Sequence, residues 1–259
     1  MAKNKKVIYY EDELNDDFAG GSIKKRTIDE RYKFIHKNPF WKIVEFILYY
    51  VIAYPLIWFF MRCILCVKFV NLKAIKKHKG TYYLYGNHTG VVDAYVPNLI
   101  SWPRRTNIIV DPASVSIKGI GWLVEMFGAT PIGTTPGGMK NFLRAIYSIS
   151  KKRNITVFPE AHIWPYYTGV RNFVDTSFAY PVKDNKPAFA FFVAYTRPKG
   201  FLSFIRKANI TIYISDPILP DEGLNGKQAQ HNLRDKVYNF MFECSKKSDY
   251  AVIEYKKKQ

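Results

Sequence analysis

The chain has 259 residues, of which 48% are hydrophobic and 17% aromatic, and its 39 Lys and Arg residues outnumber 21 Asp and Glu residues to give a formal charge of +18. This apolar content excludes an intrinsically disordered chain, because disorder requires low hydrophobicity together with high charge. The length fits one α/β domain with an appendage. The charge indicates an anionic partner, and both nucleic acid and an acidic membrane surface satisfy that requirement.

The first 40 residues are polar and segregated by charge. Lys3, Lys5 and Lys6 are followed by an acidic stretch at 11–17, by Gly20 and Gly21, and by a basic cluster at 24–26. Such a pattern is typical of a mobile tail. We therefore expect residues 1–40 to form a polar N-terminal tail.

An apolar run follows this tail. Residues 46–61 contain no charged side chain, and basic residues flank the run at 24–42 and at 68–79. Pro55 lies in the middle of the run, where proline removes a helical hydrogen bond and favours a kink or a break. Basic residues accumulate on the cytoplasmic side of a membrane, so two basic flanks favour a helical hairpin or kinked helix that dips into one leaflet. A single membrane crossing is the alternative. We expect residues 41–79 to form this membrane-associated unit.

The sequence after Gly80 has the pattern of an α/β domain, which we expect to cover residues 80–259. Runs rich in β-branched and aromatic residues predict strands at 81–86, 106–111, 154–158, 189–196 and 209–214. One helix is predicted to begin after Thr135, with Pro136 at its first position, and to be capped by Asn154 at its end. A second, amphipathic helix is predicted at about 226–246. Its buried side is expected to carry Leu233, Val237, Phe240, Met241 and Cys244. The predicted fold is α/β, with a mixed, largely parallel sheet flanked by helices.

The first candidate site follows the strand at 81–86. Asn87 and His88 leave this strand, Thr89 and Gly90 form a turn, and Asp93 follows His88 by five positions. A carboxylate beside a histidine fixes the imidazole tautomer and stabilises its protonated form, so the pair can act as a general base. A histidine and an aspartate that only cap the turn would give the same spacing.

The second candidate site follows the strand at 154–158. Pro159 terminates strand pairing, and Glu160 emerges at the carboxyl end of the strand, where open α/β sheets build their sites. We expect His88 and Glu160 to face one crevice.

Asn87-His88 with Asp93, followed by Phe158-Pro159-Glu160, resembles the motifs of the glycerolipid acyltransferase family. The resemblance covers about residues 40–220. It implies transfer of a fatty acyl group from acyl-CoA or acyl carrier protein to a hydroxyl of a lysophospholipid, such as 1-acylglycerol-3-phosphate, in phospholipid biosynthesis. It implies that His88 is the base, that Asp93 orients it, and that Glu160 contacts the glycerol of the acceptor. The remaining predicted substrate-binding residues of these two motifs are Asn87, Thr89, Gly90 and Pro159.

The sequence departs from the family at two arginines. The second family motif has a phosphate-binding Arg where this chain has Thr134, and the third motif continues with Ala161, His162 and Ile163 where members have Gly, Thr and Arg. We expect other cations to bind the acceptor's phosphate. Arg171 is the first choice, followed by Lys140 and Arg144, which lie one turn apart on a predicted helix.

No metal and no cofactor are expected, since acyl-CoA or acyl carrier protein would be a co-substrate. Cys63 and Cys66 form a Cys-x-x-Cys without a second pair, which favours packing over metal or redox use. The expected partner is an anionic phospholipid membrane, at the cytoplasmic face of the cell membrane, bound through a monotopic or single short hydrophobic segment. Nucleic acid is not expected, because lysines cluster beside the apolar run and no recognised binding motif is present. The alternatives are a membrane-surface thioester or lipid hydrolase that uses the same base on water, and a non-enzymatic basic protein that binds membranes or nucleic acid.

Overall fold

The computed structural model of the protein describes residues 6–18 and 23–258. Its main sheet has seven strands in the order β2-β8-β7-β3-β6-β4-β5. The strands are β2 (Lys68–Val70), β3 (Tyr83–Gly86), β4 (Thr106–Val110), β5 (Ala129–Pro131), β6 (Asn154–Val157), β7 (Ala188–Thr196) and β8 (Asn209–Ile214). The five predicted strands are confirmed, and β2 and β5 are short additional strands at the two ends of the sheet. Asn154, expected to cap a helix, instead begins β6.

Five neighbouring strands of this sheet, β7, β3, β6, β4 and β5, run parallel. β8 is antiparallel to β7, and β2 is parallel to β8. Because the parallel strands end on the same side, the segments that follow β3 and β6 leave the sheet next to each other. We call this side the carboxyl edge. The predicted mixed, largely parallel sheet is therefore confirmed.

Helices cover both faces of the sheet. They are α3 (Leu72–Lys77), α4 (Val96–Ser101), α5 (Pro112–Val115), α6 (Gly121–Met126), α7 (Pro136–Ile149), α8 (Ala179–Asp184) and α9 (Gly226–Ser245), with 3₁₀ turns at Val91–Tyr95, Thr176–Phe178 and Phe201–Phe204. Side chains alternate across β3, so Tyr83 and Tyr85 enter the core beneath α7 and α9, whereas Leu84 enters the core beneath α4. The two predicted helices correspond to α7 and α9.

The sequence explains where these two helices lie. Thr135 caps α7, because its hydroxyl accepts a hydrogen bond from the Gly138 amide at 3.0 Å, and Pro136 occupies the first turn. On α9 the expected face is buried at Leu233, Val237, Met241 and Cys244, and Phe240 is partly buried against the same core.

The apolar run forms one continuous helix, Pro39–Ile64, which is long and apolar enough to cross a membrane by length and composition. We call it the apolar helix. It consists of α1 (Pro39–Phe46), π-helical turns at Ile47–Ala53, α2 (Tyr54–Phe59) and further π-helical turns at Phe60–Ile64. Of the two expected forms, a hairpin or a kinked helix, the hairpin is not formed, because the chain continues through Pro55 as one helix. The wider π-helical turns before Pro55 give room for its ring against the preceding turn.

One side of the apolar helix is fixed to the domain along its length. Near its start, Glu45 pairs with Arg105 at 2.7 Å and with Arg153 at 3.1 Å. In its middle, the Tyr49 hydroxyl donates to Asn98 Oδ1 at 2.8 Å, and near its end Met61 is buried in the core beneath α4. Of the most apolar 18 consecutive residues of the helix, only 6% are buried. The other sides of the helix therefore expose a broad apolar surface.

The segment expected to be a tail has specific contacts where the structure describes it. β1 (Lys6–Tyr10) pairs in parallel with β9 (Ile253–Lys257) near the other end of the chain. Ile28 is fully buried, and its backbone bonds with Thr134. Lys3, Lys5, Gly20 and Gly21 lie outside the described residues. Residues 6–18 and 23–38 thus pack on the α/β domain, which the polar composition of this segment did not indicate.

Candidate active site

The candidate site is built by the two connections that leave β3 and β6 at the carboxyl edge. β3 ends at Gly86, where any Cβ would lie 2.0 Å from the ring of Phe191, so only glycine fits. Asn87 is fully buried and bonds to both backbone groups of Val193, accepting from its amide at 2.8 Å and donating to its carbonyl at 3.3 Å. Asn87 therefore holds the start of the His88 loop on β7. Its amide group is used in this role and does not face a substrate.

His88 and Asp93 meet in the turn after β3. His88 Nδ1 lies 3.4 Å from Asp93 Oδ2, and the Asp93 side chain is 1% exposed, against 16% for His88. The same carboxylate oxygen accepts the amides of Thr89 and of Gly90, the latter at 2.7 Å. These amides hold the carboxylate beside the imidazole ring. They are occupied in doing so and are not free to bind the substrate, the role that we expected for Thr89 and Gly90.

The ring of His88 stacks on Phe158, the first residue of the second motif, with centroids 4.4 Å apart and planes 19° apart. Packing from Phe158 on one side and the Asp93 contact at Nδ1 fix the orientation of the imidazole. When Nδ1 carries the proton that is donated to Asp93, Nε2 has a free lone pair. The arrangement can therefore remove a proton from a hydroxyl group.

Glu160 lies beneath this site, and its side chain is fully buried. It accepts hydrogen bonds from the His88 amide at 3.2 Å and from the Arg171 amide at 3.2 Å. Burial raises the pKa of the Glu160 carboxyl, and the Arg171 guanidinium and the two amides oppose this shift. The expected contact between Glu160 and the acceptor's glycerol does not fit this position. Glu160 instead supports the backbone of His88, and half-buried Pro159 links it to Phe158.

Arg171 is the partner of Glu160. Its Nη2 lies 3.1 Å from Glu160 Oε2, and its side chain is 1% exposed. The guanidinium also donates to the carbonyls of His162 and Glu13 and lies 5.0 Å from the ring of Trp164. Both terminal nitrogens of the guanidinium thus bond inside the protein, and its buried Nε has no hydrogen-bond partner among the described residues. Arg171 therefore does not replace the missing phosphate-binding arginines.

The other predicted cations, and the side chains of Thr134 and His162 at the departing motif positions, lie outside this network. Lys140 and Arg144 are exposed on α7. Thr134, where the family has an arginine, uses its hydroxyl and its amide to bond to the backbone of Ile28 at 2.8 Å and 3.0 Å. His162 lies 3.7 Å from Asp17. At Thr134, the N-terminal segment therefore packs against the residues that precede α7.

Sequence reasoning missed two tyrosines that complete the site. The Tyr195 hydroxyl lies 2.7 Å from Thr89 Oγ1, and the Tyr166 amide donates to the Thr89 carbonyl at 2.9 Å. Tyr195 belongs to the end of β7, and Tyr166 to the connection after β6. No spacing pattern connects these residues with Thr89, because the contacts arise only when the sheet forms.

No protein-family model and no curated protein sequence matches the chain. Its structure is similar to the crystal structure of the 1-acyl-sn-glycerophosphate (LPA) acyltransferase PlsC from Thermotoga maritima, with a TM-score of 0.50 and 16% sequence identity, over 70% of this chain and 71% of that chain. The chain has the fold of this glycerolipid acyltransferase. The fold expected from the two motifs is thus confirmed, and the acyltransferase fold places His88 and Asp93 at its carboxyl edge.

Proposed function

We propose that the chain is an O-acyltransferase that transfers a fatty acyl group from acyl-CoA or acyl carrier protein to a hydroxyl of a lysophospholipid. The observation that carries this proposal is the His88–Asp93 pair at the carboxyl edge of an acyltransferase fold. A similar fold does not by itself determine the reaction, since one fold can carry unrelated activities. The site itself supports this reaction, because it presents an oriented, partly exposed base.

In the proposed reaction, His88 Nε2 takes the proton of the acceptor's hydroxyl while the oxygen attacks the thioester carbonyl. Asp93 stabilises the imidazolium that forms, because its carboxylate accepts a hydrogen bond from the Nδ1–H group. The tetrahedral intermediate collapses, the carbon–sulfur bond breaks, and the leaving thiolate takes the proton from His88. The products are an ester and a free thiol, and no group of the protein is acylated.

The apolar helix supports a location at an anionic membrane, and we place the chain at the cytoplasmic face of the cell membrane. The helix is bonded to the domain at Glu45 and Tyr49 and packs into it at Met61, so it cannot cross a bilayer without carrying the domain with it. A helix that lies in the interface, with its exposed apolar side in the acyl region, satisfies both observations. A lysophospholipid in that leaflet would present its hydroxyl at the same depth.

The test measures acyl transfer to a panel of lysophospholipids by membranes that contain the wild type, His88→Ala or His231→Ala. We expect His88→Ala to lower the rate by about 10²–10⁴-fold, the usual contribution of general-base catalysis. His231 on α9 is the matched control: it is 57% exposed, it lies 3.6 Å from Asp175 and 3.5 Å from Asp235, and its replacement should leave the rate unchanged. Transfer by His88→Ala at the wild-type rate contradicts the mechanism. Release of free fatty acid without ester formation would instead identify a hydrolase.

A further inference from the structure

The connection between β7 and β8 carries exposed apolar and basic residues together. Phe204 is 77% exposed and Ile205 is 54% exposed. The residues from 197 to 208 include no acidic side chain. Their basic side chains are Arg197, Lys199, Arg206 and Lys207. We call residues 197–208 the basic loop.

The basic loop lies at the carboxyl edge, next to the site. β7 is parallel to β3, so the chain leaves β7 on the side where His88 follows β3. Lys207 Nζ lies 5.7 Å from the ring centre of Tyr166, whose amide donates to the carbonyl of Thr89. A single residue, Tyr166, therefore links the basic loop to the turn that carries His88 and Asp93.

A hydrogen bond also joins the basic loop to the end of the apolar helix. Arg206 Nη1 donates to the carbonyl of Leu65, directly after the end of the helix, at 3.3 Å. The start of the helix lies at the opposite edge, where Glu45 pairs with Arg105 and Arg153, the residues just before β4 and β6. The helix thus runs across the domain from one edge to the other and ends beside the basic loop.

We propose that the basic loop is a second membrane contact, in which Phe204 and Ile205 insert among the acyl chains while the neighbouring cations bind anionic headgroups. Apolar side chains beside lysines and arginines are the combination that anionic interfaces bind, through apolar burial and electrostatic attraction. A helix alone leaves the domain free to rotate about the helix axis. A second contact at the carboxyl edge fixes that rotation and turns His88 toward the headgroups. This inference rests on the proposed membrane location.

The test uses the purified 259-residue chain and sedimentation with vesicles of phosphatidylcholine, with and without phosphatidylglycerol. Replacing Phe204 and Ile205 together by Ser should weaken partitioning to the mixed vesicles by about tenfold. The matched control replaces Val174 and Leu219, which are 65% and 54% exposed on other connections, by Ser. This control should change the partitioning to the mixed vesicles by less than about twofold. Equal partitioning of the two double variants would overturn the proposal.

Two further variants keep the proposal testable if the serine variant does not fold. Phe204→Trp preserves an aromatic ring that favours the interface and should partition at least as strongly as the wild type. Arg197→Gln with Lys199→Gln should weaken binding by about fivefold per charge on phosphatidylglycerol vesicles only. A loss with Phe204→Trp, or an unchanged preference for anionic vesicles in the charge variant, contradicts the proposal. The proposal is also contradicted if the loop mediates self-association and the loop variants bind vesicles as the wild type does.

The vesicle assay needs no enzymatic activity, so it separates this inference from the proposed function. If no acyl transfer is found while the loop variants lose vesicle binding, the reaction is wrong and the second contact stands. If acyl transfer is found and the serine variant partitions as the wild type does, the loop proposal alone fails.

Discussion

Glu160 and Arg171 form an ion pair with a 3.1 Å contact, and both side chains are at most 1% exposed. The carboxylate of this pair also accepts the amide of His88. Through these contacts the connection after β6 fixes the backbone of the residue that we propose as the base. The conspicuous acidic residue of the second motif thus belongs to the support of the site, and so does its cationic partner.

Removal of the Arg171 cation should destabilise the protein strongly. Arg171→Met leaves the Glu160 carboxylate buried without its partner, which costs about 3–5 kcal/mol of unfolding free energy. Denaturant unfolding of the detergent-solubilised protein measures this loss. Arg144→Met, on the exposed side of α7, is the control and should cost less than about 0.5 kcal/mol. If Glu160→Leu is added to Arg171→Met, part of the loss should be recovered, because no charge then stays buried.

Glu160→Gln should separate support of the site from acceptor binding. Because Glu160 is buried beneath His88, the variant should lower kcat for acyl transfer by about 10–100-fold through misplacement of the base, with little change in the KM for the lysophospholipid. Steady-state kinetics with varied acceptor gives both constants. An increase in KM at constant kcat would show that Glu160 binds the acceptor after all.

The Tyr195 and Thr89 hydroxyls form a buried hydrogen bond that holds the turn between His88 and Asp93. Tyr195→Phe should cost about 1 kcal/mol of unfolding free energy, the usual net value of one such bond. Thr89→Val should cost a similar amount. The double variant should be destabilised by less than the sum, since both partners of the bond are then gone. Additive losses in this double-mutant cycle, measured by denaturant unfolding, would show that the two hydroxyls do not interact.

The sequence predicted the main sheet well, because strands such as β7 are continuous apolar runs with clear ends. The site histidine and aspartate were also predictable, since Asp93 follows His88 within one turn and the contact is local. β2 and β5 were missed, because three-residue strands carry little pattern. The sequence could not decide between a hairpin and a continuous helix at Pro55, because the π-helical turns that accommodate the ring depend on packing against the domain.

The roles of Glu160 and Arg171 could not be read from their positions in the chain. A glutamate that emerges at the carboxyl end of a strand can point outward or inward, and the direction is decided by Arg171, eleven residues later. Composition likewise described residues 23–38 as part of a polar tail, although one of its few apolar residues, Ile28, is fully buried and its backbone bonds to Thr134. Such contacts depend on tertiary structure and leave no local pattern.

Asp184, the last residue of α8, should make the stability of the protein depend on acid pH. Burial opposes ionisation, but hydrogen bonds from Ser150, Lys186 and Tyr83 outweigh it and hold the pKa of Asp184 below its usual value of 3.8. Lys186 Nζ lies 2.9 Å and the Tyr83 hydroxyl 3.1 Å from the carboxylate. The folded state thus favours the ionised form. The stabilisation is present above the pKa of the unfolded chain and is lost as the pH falls through the lower pKa of the folded state.

The Tm of the wild type should therefore exceed that of Asp184→Asn at neutral pH, and this difference should narrow as the pH falls from about 5 to about 3. Thermal unfolding followed by circular dichroism, over a pH series, measures the difference directly. Asp249→Asn changes an exposed carboxylate and serves as the control, with a small difference in Tm throughout the series. A constant difference between the wild type and Asp184→Asn across the acid range would show that the carboxylate's charge does not stabilise the fold, and that its contacts act through packing alone.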